Sequence, residues 1–285
     1  MNCVRYEPKL LSCRTMCDEK SIRTLLDITF LDVEGVALKL DLHLPTGVDC
    51  PQLVVWIHGG GWQNGDKADC RVKYLAEHGY AVASVNYRLT HQASFPAQIH
   101  DVKAAIRWLR AHATEYGYKA QKLVITGGSA GAHLASLVGT TNGSEVHEGT
   151  LGDHLDQSSA VDGVGNFYGP QDFILRSQTQ PEKVFPSDSI VHKLLGCRVD
   201  ENEAIAKLAS PAWQVDAKTV PFVIFQGDAD PQVLPDQQVS LMAALDKFNI
   251  KYEYFVGEGF VHGDMRFYDA PYREPLLRFL AEIDG

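Results

Sequence analysis

The sequence predicts an α/β fold, a mostly parallel sheet covered by helices on both faces. Three observations carry that expectation. Short β-rich apolar runs alternate with helix-like segments after an initial hairpin pattern. One of those runs, Leu53-Val54-Val55-Trp56-Ile57, is apolar throughout, as a strand buried on both faces is. The pattern Gly-x-Ser-x-Gly, at Gly127-Gly128-Ser129-Ala130-Gly131, stands between the strand-like Leu123-Val124-Ile125 and a helix-like stretch rich in Ala and Leu.

Taken in order, residues 1–22 are polar and irregular and are expected as an N-terminal arm of a single domain spanning 1–285. Leu25 to Val33 and Val36 to Leu44 read as two strands turning at Glu34-Gly35. In the second, Leu38, Leu40, Leu42 and Leu44 alternate with Lys39, Asp41 and His43, which predicts one buried face and one wet face. A helix is expected from about Lys67 to His78, stopped by Gly79, and a strand from Tyr80 to Val85. Pro96 is placed to open a helix through Leu109. After the Ser129 turn come a strand at Val161–Tyr168, a segment at 171–214 that has no βα rhythm and is expected as a helical insertion or lid, a strand at Val220–Phe225, a helix at Pro235–Phe248, a strand at Tyr252–Val256 and a closing helix at Tyr272–Ile283.

Bulk properties exclude several classes of function. The chain has 285 residues, 45% of them hydrophobic and 22% charged, enough for a large core and against wholesale disorder. A net charge of −10 without a basic cluster argues against a nucleic-acid surface. No apolar run reaches membrane-spanning length and the N-terminus lacks a secretory apolar core, so a cytoplasmic location without membrane association is expected, with secretion of a processed form as the alternative. Cys3, Cys13, Cys17, Cys50, Cys70 and Cys197 form no CxxC pair and read as free thiols. Asn142-Gly143-Ser144 reads as a turn. A metal site from His147, Glu148, Asp153, His154 and Asp156 is conceivable, but an acidic solvated loop is the favoured reading; no metal or cofactor is expected. Monomer and dimer are equally compatible.

The chemistry starts at Ser129. A serine nucleophile needs a base, and the base an orienting acid. The run Phe222–Phe225 empties into Gln226-Gly227-Asp228-Ala229-Asp230-Pro231, which offers Asp228 and Asp230. Asp230, within Gly227-x-x-Asp230-x-x-Val233, is favoured, leaving Asp228 to bond its own backbone in the turn. Ten of the eleven histidines precede Asp230, so His262, in a glycine-rich loop after the last strand, is the expected base. Oxyanion donors are expected from Gly60 and Gly61 in His58-Gly59-Gly60-Gly61-Trp62 and from Ala130, with His58 bracing the glycine loop. Losing one such donor typically costs roughly 3 kcal/mol of transition-state stabilisation. Trp62 and Tyr87 are candidate acyl-pocket residues.

His58-Gly59-Gly60-Gly61-Trp62, Asn86-Tyr87-Arg88-Leu89, Gly127 to His133, Phe167-Tyr168-Gly169-Pro170 and Gly227-x-x-Asp230-x-x-Val233 resemble the esterase/lipase α/β-hydrolases related to hormone-sensitive lipase, and among them the bacterial feruloyl-esterase-like branch. The resemblance covers about residues 25–285. It implies an eight-stranded sheet with the second strand antiparallel, Ser129, Asp230 and His262 as a triad, and Gly60, Gly61 and Ala130 as the oxyanion hole. Where relatives show Gly-x-Gly-His, Phe260 and Val261 intervene here before His262. The activity expected is hydrolysis of short-chain or aryl (acetyl- or feruloyl-type) esters through an acyl-enzyme, on a small-molecule substrate of plant cell-wall type. An amide hydrolase such as an arylformamidase, and a non-catalytic ligand-binding relative, are the rival expectations.

Overall fold

A computed structural model describes residues 21–285, so the expected N-terminal arm, with Cys3, Cys13 and Cys17, lies outside the described residues except for its last two positions. Among the described residues eight strands form one sheet: β1 (Ile22–Val33), β2 (Val36–Pro45), β3 (Gln52–Ile57), β4 (Ala81–Val85), β5 (Lys119–Gly128), β6 (Gly163–Phe167), β7 (Phe222–Gly227) and β8 (Tyr252–Gly257), in spatial order β1-β2-β4-β3-β5-β6-β7-β8. β2 runs antiparallel to β1 and β4, and the pairs from β4–β3 to β7–β8 are parallel. This is the α/β-hydrolase fold. Helices α1 (Ala97–Ala111), α2 (Ala113–Tyr116), α3 (Ala130–Thr140) and α4 (Glu145–Glu148) precede β6; α10 (Asp236–Lys247) and α11 (Ala270–Asp284) follow β7 and β8. Residues 171–214 hold five short helices, α5 (Phe173–Thr179), α6 (Pro181–Val184), α7 (Ile190–Leu195), α8 (Glu203–Leu208) and α9 (Pro211–Gln214).

The all-apolar β3 shows how the sheet divides the core. Leu53, Val55 and Ile57 point to one side, among residues of α1, α3 and the 171–214 helices, while Val54 and Trp56 point to the other, among residues of α11. The pleat assigns alternate side chains to opposite faces, so a strand covered on both sides must be apolar at every position. Register aligns Ile57 with Gly127, Gly128 with Phe167, Phe167 with Phe225 and Gly227 with Gly257. The carboxyl ends of β3, β5, β7 and β8 thus finish at one edge, where ligands bind in open α/β sheets.

Two expectations are corrected. The polar face of β2 is wet only at Lys39: Asp41 and His43 are buried, and Lys67 lies over that face, 2.9 Å from Asp41 Oδ1 and 3.1 Å from Asp27 Oδ1. Burial, with Lys73 adding to it, lowers the His43 pKa to about 4. The expected helix at 67–78 is a single 3₁₀ turn, Lys73–Ala76, although the segment does end at Gly79 in the left-handed region. Side chains bond the Lys67 and Asp69 carbonyls, which a helix would use, as well as the Lys67 N–H. Asn86 Oδ1 accepts from the Lys67 N–H at 2.7 Å, Ser84 Oγ donates to the Lys67 carbonyl at 2.6 Å, and Trp56 Nε1 donates to the Asp69 carbonyl at 2.7 Å. Among the described residues no helix is long and apolar enough to cross a membrane.

Candidate active site

Ser129 sits between β5 and α3 at φ 54°, ψ −119°. A non-glycine residue there is strained, and the surrounding contacts hold it. The backbone comes so close that a Cβ on Gly131 would lie 2.0 Å from the Ile57 carbonyl oxygen, and one on Gly127 would lie 2.5 Å from that of Gly131. Only glycine fits at either place. The sharp turn lifts the Ser129 hydroxyl off the sheet edge and leaves Ala130 as the first residue of α3, whose N–H has no partner within the helix.

From there a hydrogen-bonded series runs to the acid. Ser129 Oγ lies 2.8 Å from His262 Nε2, and His262 Nδ1 lies 2.8 Å from Asp230 Oδ2. With a neutral imidazole, the serine hydroxyl donates to Nε2 and Nδ1–H donates to the carboxylate. Asp230 is buried and accepts further bonds from the N–H groups of Gln232 and Val233, at 2.8 and 2.9 Å, and from Gln226 Nε2 at 3.2 Å. The carboxylate is thereby fixed in place and satisfied on both oxygens.

The other members of the site come from three loops. Gly60 and Gly61 follow β3 with φ of 111° and 60° and line the same cavity of about 500 Å³ as Ser129 and His262. Tyr168, just past β6, packs its ring against His262 with centroids 5.1 Å apart, and its hydroxyl meets that of Tyr268 at 2.7 Å. From the 171–214 segment, Ile190 closes the wall beside Gly61. Gln63, Asn64, Asp69, Arg71 and Gln232 add polar groups to the rim, and Trp56 adds an aromatic wall.

The Phe260-Val261 departure has a structural explanation. Phe260 is buried in a niche that exists because residues 227 and 257 are glycines: a Cβ on Gly257 would meet the Phe260 ring at 2.4 Å. The aromatic ring anchors the loop while Val261 stays half exposed and His262 reaches the serine. Arg266 covers the outer face of the ring, its guanidinium carbon 3.8 Å from the centroid.

Several expected residues sit elsewhere than anticipated. Trp62 and Tyr87 are core residues and line no part of the cavity: Trp62 Nε1 donates to His133 Nδ1 at 3.2 Å, and the Tyr87 hydroxyl donates to the His58 carbonyl at 3.1 Å. The bulk that made them attractive as pocket walls fills the space beneath the glycine loop instead. His58 is the brace expected of it, with Nδ1 donating to the Gly59 carbonyl at 2.7 Å and its ring stacked on Tyr87; burial lowers its pKa. Asp228 bonds across to the base loop, accepting from Gly259 N–H at 2.7 Å, and not to its own turn. Glu148 is no loop solvate but sits between the buried Lys103 and Arg107, and His147 bonds to Ser144 and to the Leu208 carbonyl; among the described residues no group of His, Cys, Asp and Glu is placed to hold a metal. Sequence reasoning gave no site role to Gln226, Tyr168 or Ile190, and it read Phe260 only as a departure from the usual spacing. Of these, Gln226 carried a signal, a polar residue closing an otherwise apolar strand.

The chain is similar to known esterases. The BD-FAE family model matches residues 40–245. The chain is 31% identical to the esterase LipQ of Mycobacterium tuberculosis over 197 residues, which is 68% of this chain and 45% of that protein; it spans about half the length of the curated relatives it matches. A truncated carbohydrate esterase from gut microbiota superposes with a TM-score of 0.85 at 30% identity, covering 93% of this chain and 97% of that one. A propionate-bound esterase from Thermogutta terrifontis superposes with a TM-score of 0.71 at 28% identity, covering 93% and 94%.

Proposed function

Because the chain belongs to the BD-FAE family of α/β-hydrolase esterases, we propose that it hydrolyses carboxylic esters through a Ser129 acyl-enzyme. The carrying observation is the series Ser129–His262–Asp230, with both contacts at 2.8 Å, opening into the cavity that Gly60 and Gly61 line. His262 Nε2 takes the hydroxyl proton as Ser129 Oγ attacks the ester carbonyl carbon. The carbonyl oxygen becomes an oxyanion held by the N–H groups of Gly60, Gly61 and Ala130, at the positive end of α3. The carbon–oxygen bond to the alcohol breaks as His262 returns the proton to the leaving alkoxide. Water then attacks the acyl-enzyme by the same route, releasing the acid and restoring Ser129. Asp230 holds the imidazole in its Nδ1–H tautomer throughout.

The acyl group is short, and the alcohol is polar, of sugar type. Ile190 close to Gly61 limits the space beside the oxyanion loop, and Gln63, Asn64, Asp69, Arg71 and Gln232 offer polar groups to the alcohol, while Trp56 and Tyr168 are the aromatic residues on the wall. The carbohydrate-esterase and propionate-bound neighbours support the same choice. The test is a p-nitrophenyl ester series from acetate to laurate, run beside methyl ferulate and acetylated xylan. Acetate and propionate should be turned over fastest and S129A should lose roughly 10⁴-fold or more in kcat. An S129A protein with wild-type turnover would falsify the proposal, and a preference for laurate or ferulate would overturn its acyl assignment.

A further inference from the structure

His133 stands four residues after Ser129 on α3, wholly buried, with no part in the proton relay. Its two nitrogens are divided between two regions. Nδ1 accepts from Trp62 Nε1 at 3.2 Å, and Trp62 directly follows Gly61 in the oxyanion loop, itself held at φ 58°. Nε2 donates to the carbonyl of Ala209, between α8 and α9, at 2.6 Å. Phe173, where α5 begins, packs against both rings, with centroids 5.8 Å from Trp62 and 5.2 Å from His133. Indole N–H can only donate and a carbonyl can only accept, so this arrangement admits one state of the imidazole, neutral with the proton on Nε2. Burial favours that state, lowering the pKa to about 4. The inserted helices also touch the oxyanion loop through Ile190 against Gly61.

We propose that His133 is a positioning residue that couples the 171–214 helices to the oxyanion loop, so that Gly60 and Gly61 present their N–H groups only while the inserted helices are docked. This rests on the ester-hydrolase reading for its kinetic consequence, not for the coupling itself. A displacement of the donors by a fraction of an ångström acts on the transition state, where the charge is on the oxygen, and leaves ground-state binding nearly unchanged.

The experiment compares wild type, H133N and W62F. Asn keeps an acceptor for Trp62 but is too short to reach the Ala209 carbonyl; Phe at 62 keeps the Ala209 link and removes the indole donor. Turnover of p-nitrophenyl acetate is normalised to serines titrated with a phosphonate, and amide hydrogen exchange is followed in residues 58–65 and 203–214. In both variants kcat per titrated site should fall on the order of 10- to 100-fold, with KM within about twofold, and exchange in 58–65 should quicken by roughly tenfold. Exchange in 203–214 should quicken in H133N alone. A purely packing role would lower the melting temperature while leaving kcat per site and loop exchange unchanged, and that result overturns the proposal. Should wild type turn over no ester, the proposed activity fails, and the exchange pattern alone still decides the coupling.

Discussion

The loops that carry Asp230 and His262 leave adjacent strands, β7 and β8, yet the chain grips them by different means. Asp230 is held by polar donors on every side: two backbone N–H groups, Gln226 and His262. Its loop is held from outside as well, with Arg176 donating to the Gln232 carbonyl and Gln180 and Lys183 to that of Pro231. The His262 loop turns through two left-handed glycines, Gly259 and Gly263, and leans on an apolar anchor, Phe260, whose carbonyl accepts from the Ala229 N–H at 3.2 Å while the Asp228 carboxylate accepts from the Gly259 N–H at 2.7 Å. The acid is fixed by direction-dependent bonds to its own side chain, whereas the base loop adds a seat of apolar shape to a few backbone bonds. A catalytic base has to move slightly between receiving a proton from the serine and giving one to the leaving group, and an apolar seat permits that without breaking hydrogen bonds.

The contrast breaks most visibly at the acid. In D230N the amide can present N–H to His262 Nδ1–H, spoiling the tautomer, and kcat should fall by about 10⁴-fold with KM little changed. Steady-state kinetics check this; retention of more than a tenth of the activity would return Asp228 as the rival acid. Next in size is F260A, expected to cost about 3–5 kcal/mol of stability in urea unfolding and to lower kcat in the same variant. A variant that loses stability and keeps its kcat would show that the base needs no seat.

Lowering the pH probes the 171–214 helices, which serve the acid loop directly and, through His133, the oxyanion loop. The folded pKa of His133 lies at about 4, below its ordinary 6.5, so between those values the unfolded chain binds the extra proton. Its contribution, about 3 kcal/mol, is present above pH 6.5, lost as the pH falls to 4 and constant below. Urea midpoints across that window should fall less steeply for H133N than for wild type. The smallest effect is expected from D228A, about 0.5–1 kcal/mol and a few-fold in kcat, since one exposed bond to Gly259 is removed.

How much of this is legible in the sequence follows from the range of each interaction. The elbow, the alternation of strands and helices, and the serine–acid–histidine order are local or periodic signals, so Ser129, Asp230 and His262 could be named from spacing. The two glycines after His58 were visible for the same reason. What could not be read depends on partners far along the chain. Asp41 on the expected wet face of β2 became buried because Lys67 reaches it; the 67–78 helix gave way where Ser84 and Trp56 take the Lys67 and Asp69 carbonyls. Trp62 and Tyr87 were placed in the acyl pocket because aromatic size does not say which side of a loop a ring occupies. Phe260 looked like an interruption, and only the space left by Gly227 and Gly257 makes it an anchor.

The elbow's backbone-on-backbone packing has a consequence for how this protein can change over time. At Gly127 and Gly131 the space is closed by main-chain atoms, which every residue type possesses. Substitutions elsewhere can therefore not open room there, because no neighbouring side chain can be shortened to relieve the clash. In a saturation mutagenesis map these two columns should be empty in any genetic background, while the cavity rim at Gln63, Asn64 and Gln232 stays free to drift. Selection for a new ester would reshape that rim and leave the turn beneath it untouched.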